Sequence, residues 1–358
     1  MHPAATPAAI DDIAARLSAQ SAIGIDTEFL RERTYHAELC LVQLSWEDQA
    51  ACVDPLALPD LSALSPALGG SSAVKVLHAS RQDLEVLLPA VGPVRPIFDT
   101  QIAAALAGEA AQMGYAELVR RTLGLELAKG QTRTDWSRRP LTPEQIEYAL
   151  DDVRHLLALK TALEERLERL GRLSWLAEEL TALEDPAALS VDPQSAWRRL
   201  KGFTGLDPGR QRLLQSLAAW RERRALERNR PRGWILADAL LRDIVLRVPR
   251  TRAQLAVLEG MPPGLLGRSG EELLDLVRAA DIPDPAPQVL RSRPDPQVTA
   301  LLKKLSAVHQ AAATELALSP EVLATRRDLE QLAAGRLDGL PLTGWRRAVL
   351  GERLLAAL

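Results

Sequence analysis

The stretch that decides the fold lies near the start of the chain and reads Ala22-Ile23-Gly24-Ile25-Asp26-Thr27-Glu28-Phe29. An apolar run opens it, and two carboxylates, Asp26 and Glu28, close it. Side chains alternate between the faces of a β-strand, so the two acids project from the same side. Two like charges at the end of a buried strand repel each other and are costly to desolvate. A divalent cation would relieve both costs, whereas a strand running out into a polar loop would need no ligand.

Length and composition place the chain among multidomain globular proteins. It has 358 residues, of which 47% are hydrophobic and 25% charged, so we expect two or three domains. No run of about 18 uncharged apolar residues occurs, so no transmembrane helix and no membrane partner are expected. Two cysteines, Cys40 and Cys52, and the absence of a secretory pattern in residues 1–12 lead us to expect a reducing compartment, the cytoplasm. Because no cysteine pair has metal spacing, any metal should be a hard ion held by oxygen.

Charge is distributed unevenly along the chain. Residues 1–190 carry 17 Lys and Arg against 28 Asp and Glu, whereas residues 191–358 carry 27 against 19. The segment 197–252 alone has 15 basic and 5 acidic residues. An acidic half joined to a basic half fits a metal-dependent enzyme with a module that binds a polyanion, although a chance surface imbalance would look the same.

Hydrophobic periodicity predicts strands and helices in the first half of the chain. Strands are predicted at 22–28, 38–46, 50–53, 74–77 and 96–99. Helices are predicted at 10–17, 60–68, 81–88, 100–107 and 115–123, with one long helix at 142–170. Hairpin-linked early strands imply antiparallel pairing, and the later alternation of strands and helices indicates an α/β fold with a mixed sheet.

The second half is predicted to be entirely helical, with helices at 213–226, 231–248, 252–259 and 270–279. A proline-rich linker at 283–296 separates these from a second helical unit at 297–358. Apolar positions in the two units match at an offset of 88, pairing Leu213, Leu214, Leu217, Arg221, Trp234 and Ile235 with Leu301, Leu302, Leu305, His309, Val322 and Leu323. A repeat would produce these matches, but so would unrelated amphipathic helices.

Three further residues could complete a site with Asp26 and Glu28. Asp83 falls in the first turn of a helix after a buried strand, where an acid also simply favours the helix dipole. Tyr148 and Asp152 lie four residues apart on a helix and share one face, as an ordinary surface pair would.

Together these five residues resemble the DEDD exonuclease superfamily in its tyrosine subclass. Short sequence motifs within residues 20–170 resemble those of the ribonuclease D family: Asp26-Thr27-Glu28-Phe29, Arg33-Thr34-Tyr35, His78-Ala79, Asp83-Leu84-Glu85, Asp99-Thr100-Gln101, Thr134-Asp135-Trp136 and Arg139-Pro140-Leu141-Thr142. The helical unit at about 207–280 is similar to the helicase-and-RNase-D C-terminal (HRDC) domain.

The resemblance implies a fold and an activity. It implies a ribonuclease H-like mixed-sheet exonuclease domain at 1–190, an HRDC domain at 207–284, and a second, divergent HRDC-like domain at 292–358. The implied reaction is 3′-5′ exoribonuclease cleavage that releases nucleoside 5′-monophosphates from RNA with a free 3′ end, including tRNA precursors. No obligate protein partner is evident. A DNA 3′-5′ exonuclease of the same superfamily and an inactive nucleic-acid-binding module are the alternatives.

The resemblance also assigns residues to the chemistry. Asp26, Glu28, Asp83 and Asp152 are the expected ligands of two divalent cations, Mg²⁺ or Mn²⁺, and Tyr148 is expected to orient the attacking water. A phenol has a reference pKa near 10, which favours positioning over general-base work. His78 is expected to be structural and Asp99 to cap a helix.

Candidate RNA contacts are less tightly specified by the sequence. Phe29 could stack on the terminal nucleotide or belong to the core. The candidate phosphate contacts are Arg133, Arg138, Arg139, Arg221, Arg223, Arg224 and Arg228, with ordinary surface charge as the alternative interpretation. Trp220 and Trp234 are expected to pack in the core of the first helical unit.

Overall fold

The computed structural model describes residues 2–58, 60–70, 72–127, 134–203, 205–283 and 296–358. Arg133 and most of the predicted linker at 283–296 lie outside these ranges. The chain divides into two compact units. Unit 1 comprises Met1–Leu30, Leu39–Leu189 and Pro294–Leu358, and unit 2 comprises Arg31–Glu38 and Ser190–Arg293. Among the described residues, no helix combines the length and the apolar character needed to cross a bilayer.

A five-stranded sheet forms the centre of unit 1. Its strands are β1 (Ala22–Leu30), β2 (Glu38–Trp46), β3 (Gln49–Val53), β4 (Val74–Leu77) and β5 (Ile97–Asp99), in the order β3-β2-β1-β4-β5. β2 and β3 are antiparallel, whereas β1, β4 and β5 run parallel. The predicted mixed sheet is therefore confirmed, and β1, which carries Asp26 and Glu28, is its middle strand.

Nine helices of unit 1 precede unit 2 among the described residues: α1 (Pro7–Leu17), α2 (Ser65–Gly69), α3 (Arg81–Val91), α4 (Thr100–Leu106), α5 (Tyr115–Leu123), α6 (Pro143–Arg154), α7 (Leu156–Arg169), α8 (Leu173–Glu184) and α9 (Pro186–Leu189). The start of α6 follows the sequence signal. Thr142 and Gln145 form a capping box around Pro143, in which each side chain accepts the backbone N–H of the other residue.

The prediction of one continuous helix at 142–170 is wrong. The helix is interrupted at His155, which has φ −104° and ψ 1°. The hydroxyl of Tyr115 donates to the Asp151 carbonyl (3.1 Å) and accepts from the His155 N–H (3.2 Å). These two backbone groups would otherwise pair with each other, because an α-helix joins each N–H to the carbonyl four residues earlier. A side chain inserted into this ladder is a recognised cause of helix interruption.

The described part of unit 2 contains five α-helices: α10 (Pro208–Arg228), α11 (Arg232–Ile235), α12 (Asp238–Arg247), α13 (Arg252–Ala256) and α14 (Pro263–Ala279). The single helix predicted at 231–248 is interrupted, because Leu236 and Ala237 adopt extended backbone. Residues 31–38 also belong to this unit. The Tyr35 hydroxyl donates to the Glu222 carboxylate, and the Asn229 side chain accepts the Tyr35 N–H at 3.0 Å.

The last segment of the chain returns to unit 1. Its helices are α15 (Pro296–Glu315), α16 (Pro320–Leu323), α17 (Arg326–Ala333), α18 (Gly344–Arg346) and α19 (Glu352–Leu355). Trp345 stacks on Trp175 of α8 with ring centroids 4.4 Å apart. Leu305, Leu350 and Leu354 are buried in the same hydrophobic core as the middle strand of the sheet.

The three helices that open the C-terminal segment repeat the start of unit 2. α10, α11 and α12 begin at Pro208, Arg232 and Asp238, and α15, α16 and α17 begin at Pro296, Pro320 and Arg326. Each pair of starts is separated by the offset of 88 seen in the sequence. The buried polar residues correspond as well. Arg221 donates to the Leu236 carbonyl at 3.0 Å, and 88 residues later the buried His309 ring lies 2.8 Å from the Pro320 carbonyl.

Candidate active site

Three carboxylates converge where the end of β1 meets the last turns of α6. Asp26, Glu28 and Asp152 each offer an oxygen, and these oxygens lie within 4.8 Å of one another. All three side chains are half-buried. The strand alternation that placed Asp26 and Glu28 on one face is therefore realised, and the third acid comes from an element more than a hundred residues later.

A glycine in β1 lets α6 approach the sheet closely. A Cβ on Gly24 would lie 2.1 Å from Ser45 Oγ and 3.3 Å from the Val153 carbonyl oxygen. That Ser45 hydroxyl donates to the same Val153 carbonyl at 2.8 Å. The neighbouring Asp152 is thereby held over β1. The sequence prediction missed Gly24 and Ser45, although a glycine inside a strand is a signal for close backbone approach.

Asp83 lies in the first turn of α3, beside the three converging acids. Its carboxylate accepts a hydrogen bond from the Thr27 hydroxyl at 2.5 Å. Its charge also raises the pKa values of Asp26 and Glu28, which shows that it is close to both. The structure thus brings all four predicted acids together. Asp26, Glu28 and Asp152 form the closest group, and Asp83 lies beside them, bonded to Thr27.

The turn that leads into α3 is fixed by Asp99. This carboxylate accepts the Ala79 N–H at 3.2 Å and the Ser80 N–H at 2.7 Å, while also capping α4. Ala79 has φ 56°, a left-handed conformation that non-glycine residues adopt rarely. Asp99 therefore stabilises an unusual turn that sets the start of α3, and its predicted capping role is confirmed.

Burial raises the pKa values of all four acids, and the negative charge of neighbouring acids adds to the rise. Burial, followed by the charges of the other three acids, raises the pKa of Asp26 well above its usual range. Burial, followed by the charges of Asp152 and Asp83, raises the pKa of Glu28 to about 8. Burial raises the pKa of Asp83 to about 7 and that of Asp152 to about 6, in each case partly offset by a hydrogen bond. Among the described residues, no basic side chain forms an ion pair with any of the four.

Tyr148 lies one helical turn before Asp152, as its spacing predicted. Its hydroxyl lies near the Asp152 carboxylate, and its ring stacks on the buried Trp136 with centroids 6.2 Å apart. Burial and the negative charges of Asp152 and Glu28 raise the pKa of this phenol. It is therefore protonated at neutral pH and serves as a hydrogen-bond donor. Trp136, which supports the ring, was noted in the sequence only as part of the motif Thr134-Asp135-Trp136.

The residues near the site that were predicted to contact RNA differ in their exposure and in their bonds within the protein. Phe29 is half-buried directly after Glu28. Arg138 is exposed and pairs with Asp135 at 3.1 Å. The prediction for Arg139 is corrected, because its guanidinium is fully occupied within the protein. It donates to Asp54 through Nε (2.6 Å) and Nη2 (2.7 Å) and to three backbone carbonyls, so it anchors its loop and does not point at a phosphate.

In unit 2 the structure separates the arginines of α10 into two kinds. Arg221 is only 5% exposed and pairs with Asp238, so the prediction that it meets RNA is corrected. Arg224 is half-buried and pairs with Glu272 at 2.6 Å. Arg223 and Arg228 are exposed.

The two tryptophans of unit 2 also differ. Trp220 is buried, as predicted, and its Nε1–H donates to Glu272 at 2.7 Å. Trp234 is 61% exposed, so the prediction that it packs in the core is wrong. Its ring instead lies 5.8 Å from the Arg230 guanidinium and lines a pocket with Arg228 and Arg268.

Known proteins match both parts of the chain. A 3′-5′ exonuclease family model matches residues 1–168, and an HRDC domain model matches residues 210–277. Ribonuclease D of Gluconacetobacter diazotrophicus is 42% identical, covering 95% of this chain and 88% of that protein. Ribonuclease D of Pseudomonas paraeruginosa is 39% identical, covering 95% and 92%. The chain belongs to the ribonuclease D family.

The fold of this family member agrees with a solved ribonuclease D. The crystal structure of Escherichia coli RNase D, an exoribonuclease involved in structured RNA processing, superposes with a TM-score of 0.86. The two chains are 32% identical, and the match covers 100% of this chain and 99% of the other. The chain is therefore a 3′-5′ exoribonuclease that combines an exonuclease domain with an HRDC domain.

The exonuclease fold implies dependence on a divalent metal, and the donor set here fits one. Three carboxylate oxygens within 4.8 Å of one another are hard donors that repel one another when ionised. Burial, followed by the negative charge of neighbouring acids, raises the pKa values of Glu28 and Asp152.

Proposed function

We propose that this exoribonuclease cleaves the 3′-terminal phosphodiester bond by a two-metal mechanism and releases nucleoside 5′-monophosphates. Asp26, Glu28, Asp83 and Asp152 would hold two divalent cations, Mg²⁺ or Mn²⁺. The observation that carries the proposal is the convergence of three carboxylate oxygens within 4.8 Å with no ion-paired basic side chain in the described residues. Unbalanced negative charge of this kind is stable only when protonated or when bound to cations.

The protein's own contribution is to fix the carboxylates in advance. When bound, a pair of divalent cations stabilises charge on the attacking and leaving oxygens. β1 presents Asp26 and Glu28 from one rigid face, and the Ser45 bond to the Val153 carbonyl fixes the turn that carries Asp152. Ligands that are already in place lose little conformational freedom on binding.

Tyr148 has the geometry of a residue that orients water. Its hydroxyl lies near the Asp152 carboxylate, and the stack on Trp136 restricts the ring. Because its pKa is raised, the phenol keeps its proton at neutral pH, so it positions a nucleophilic water and does not deprotonate it. Phe29, next to Glu28, would pack against the terminal nucleotide.

Unit 2 would supply sequence-independent attraction for RNA. The exposed Arg223 and Arg228 can approach phosphates, and the exposed Trp234 offers a face for stacking. Basic side chains give salt-dependent affinity, and aromatic faces accept any base. Arg138, in unit 1, remains a candidate phosphate contact because its side chain is 83% exposed.

The natural substrate would be a structured RNA precursor in the cytoplasm, with tRNA precursors trimmed at their 3′ ends. This part of the proposal rests on the family. We also propose the domain division 1–190, 207–284 and 292–358, in which the last domain is a divergent second copy of the HRDC domain. The recurrence of three helix starts at an offset of 88 supports the second copy.

A matched pair of substrates tests the activity. Single-stranded RNA and DNA of the same sequence, each labelled at the 5′ end, are incubated with Mg²⁺ or Mn²⁺. We expect a ladder shortened from the 3′ end for RNA, little product from DNA, and none in EDTA. Asp152→Asn should abolish the ladder while RNA binding, measured by fluorescence anisotropy, is retained. Preference for DNA, or full activity of Asp152→Asn, would contradict the proposal.

A second experiment tests the substrate class. A tRNA precursor with a short 3′ extension is compared with an unstructured RNA of the same length. Trimming should stop near the mature 3′ end of the precursor, whereas the unstructured RNA should be degraded further. Complete degradation of both RNAs at equal rates would refute a role in tRNA maturation and leave the exoribonuclease activity itself intact.

A further inference from the structure

The interruption between α6 and α7 lies directly beside the catalytic residues. Asp152 and Tyr148 are both on α6, which ends at Arg154. The Tyr115 hydroxyl occupies the gap, donating to the Asp151 carbonyl and accepting from the His155 N–H. A hydroxyl from another helix therefore replaces one backbone hydrogen bond within the turn that carries Asp152.

Tyr115 is held in place by a network outside α6. Its ring makes an edge contact with His78, with centroids 5.7 Å apart. The His78 imidazole in turn bonds the Thr100 hydroxyl (2.9 Å) and the Met113 carbonyl (3.0 Å). Gln101 donates to the same carbonyl at 3.0 Å. The hydroxyl is thus fixed relative to the ends of β4 and β5, from which His78 and Thr100 follow directly.

We propose that Tyr115 is a positioning residue for the metal centre: its hydroxyl, inserted between Asp151 and His155, sets where α6 presents Asp152 and Tyr148 to β1. This inference rests on the proposed metal-binding role of Asp152. We do not propose any contact between Tyr115 and the substrate. It acts only through the helix that it interrupts.

The geometry explains why a single hydroxyl has this effect. The path from the Asp151 carbonyl through the hydroxyl to the His155 N–H contains two hydrogen bonds, of 3.1 Å and 3.2 Å. Without the oxygen, the two backbone groups either close on each other to about 2.9 Å, as in a regular helix, or lose their partner. Closure would move the turn that carries Asp152, while Ser45 continues to hold the Val153 carbonyl. Metal and catalytic sites tolerate displacements of only about 0.5 Å.

Tyr115→Phe removes the oxygen and keeps the ring. Residues that orient metal ligands change metal affinity or activity by about 10–100-fold when they are replaced. We expect Mn²⁺ binding, measured by calorimetry in the absence of RNA, to weaken by about 10-fold. The Mn²⁺ concentration for half-maximal activity should rise in parallel, while KM for RNA stays within about twofold at saturating metal.

Tyr35→Phe is the matched control, because Tyr35 also has a buried, hydrogen-bonded hydroxyl but belongs to unit 2. Its Mn²⁺ affinity should equal that of the wild type. An unchanged Mn²⁺ affinity in Tyr115→Phe would overturn the inference, as would an equal loss in both variants. Asp152→Asn distinguishes a failure of the proposed ligand set from a failure of the role of Tyr115. If Asp152→Asn binds Mn²⁺ as the wild type does, the proposed ligand set is wrong. If Asp152→Asn weakens Mn²⁺ binding and Tyr115→Phe does not, only the role of Tyr115 is refuted.

A measurement on the unsubstituted chain covers the case in which Tyr115→Phe does not fold. The chain has three tyrosines, so 3-fluorotyrosine labelling gives three ¹⁹F resonances. Tyr35→Phe and Tyr148→Phe assign two of them, and the third belongs to Tyr115. Saturating Mg²⁺ should shift the resonances of Tyr115 and Tyr148 and leave that of Tyr35 in place. A Tyr115 resonance that does not respond to Mg²⁺ would contradict its connection to the metal centre.

Discussion

An acidic cluster in unit 1 and a basic cluster in unit 2 differ in whether their side chains form ion pairs. The acids on β1, α3 and α6 have no ion-paired basic partner among the described residues, and their pKa values are raised. Arginines on and after α10 are instead matched with acids in the pairs Arg221–Asp238, Arg224–Glu272 and Arg232–Glu222, whereas Arg223 and Arg228 are exposed.

The difference shows that a density of charge in a sequence does not by itself mark a binding site. Charge that the fold neutralises stabilises the fold, whereas charge that the fold leaves unbalanced is available for a ligand. Arg139 makes the same point inside unit 1, because its bond to Asp54 occupies it within the protein. The comparison can be tested by neutralising one member of each kind.

The largest effect is expected from a pair of Asp→Asn substitutions. Asp26→Asn should lower RNA turnover by about a thousandfold or more, because a metal ligand is removed. It should nevertheless stabilise the metal-free protein at pH 8, because it removes a carboxyl group whose ionisation in the folded state is opposed by burial and by three other acids. Asp54→Asn should instead lower the free energy of unfolding by about 2 kcal/mol, because Arg139 is left partly buried without its partner.

Urea unfolding in EDTA, together with RNA turnover assays, measures both variants. If Asp26→Asn destabilises the metal-free protein as much as Asp54→Asn does, the claim that Asp26 is unneutralised and Asp54 is neutralised in the folded protein is wrong.

The next effect concerns pH. Folded pKa values of about 6 for Asp152, 7 for Asp83 and 8 for Glu28 lie above unfolded values near 4. The contribution of these groups to stability is therefore full below about pH 4 and is lost as the pH rises through 6 to 8. His78, whose pKa burial lowers, opposes this trend with a single proton.

We therefore expect the melting temperature in EDTA to fall between pH 5 and pH 8, reflecting a loss on the order of a few kcal/mol. Mg²⁺ should raise the melting temperature more at pH 8 than at pH 5.5, because protons compete with the cation at low pH. Calorimetric scans check both, and Asp26→Asn should flatten the dependence. A metal-free protein that becomes more stable from pH 5 to pH 8 would contradict the proposed electrostatics of the site.

The smallest effect separates the two kinds of arginine on α10. Arg221→Gln should lower the stability of unit 2 by about 2 kcal/mol, because it leaves the Leu236 carbonyl without its donor and breaks the pair with Asp238. A double variant, Arg223→Gln with Arg228→Gln, should change stability by less than about 0.5 kcal/mol. It should reduce the slope of log affinity for single-stranded RNA against log salt by about 1.4, or about 0.7 for each phosphate that is no longer neutralised.

Salt titrations of RNA binding, with each variant folded at the assay temperature, provide the readout. An unchanged slope in the double variant would remove these two arginines from the RNA surface. A reduced slope in folded Arg221→Gln would show that burial does not prevent this residue from contributing to RNA affinity.

The sequence predicted the sheet and the acid cluster because both depend on local pattern. The alternation around Asp26 and Glu28 fixes their common face, and the spacing of Tyr148 and Asp152 fixes theirs. The interruption at His155 could not be inferred in this way. No proline or glycine is present at that point of the chain, and the cause is the hydroxyl of Tyr115, which lies 40 residues earlier and reaches the helix only in the folded state.

The role of Arg221 could have been inferred from spacing. It follows Leu213 and Leu217 at intervals of four on α10, on the face that these leucines bury. A charged residue on an apolar stripe predicts a buried pair. The exposure of Trp234 offered no such signal, because the sequence predicted one continuous helix at 231–248, which extended backbone interrupts after α11.

The order in which the chain visits its two units has a consequence for its synthesis. Unit 1 is completed only by α15–α19, because Leu305, Leu350 and Leu354 are part of its core. A ribosome delivers the β-strands and all four acids before these helices exist, so the nascent catalytic unit lacks one side of its interior until α15–α19 emerge. Translation therefore imposes a delay between the appearance of the active-site residues and the appearance of an active enzyme.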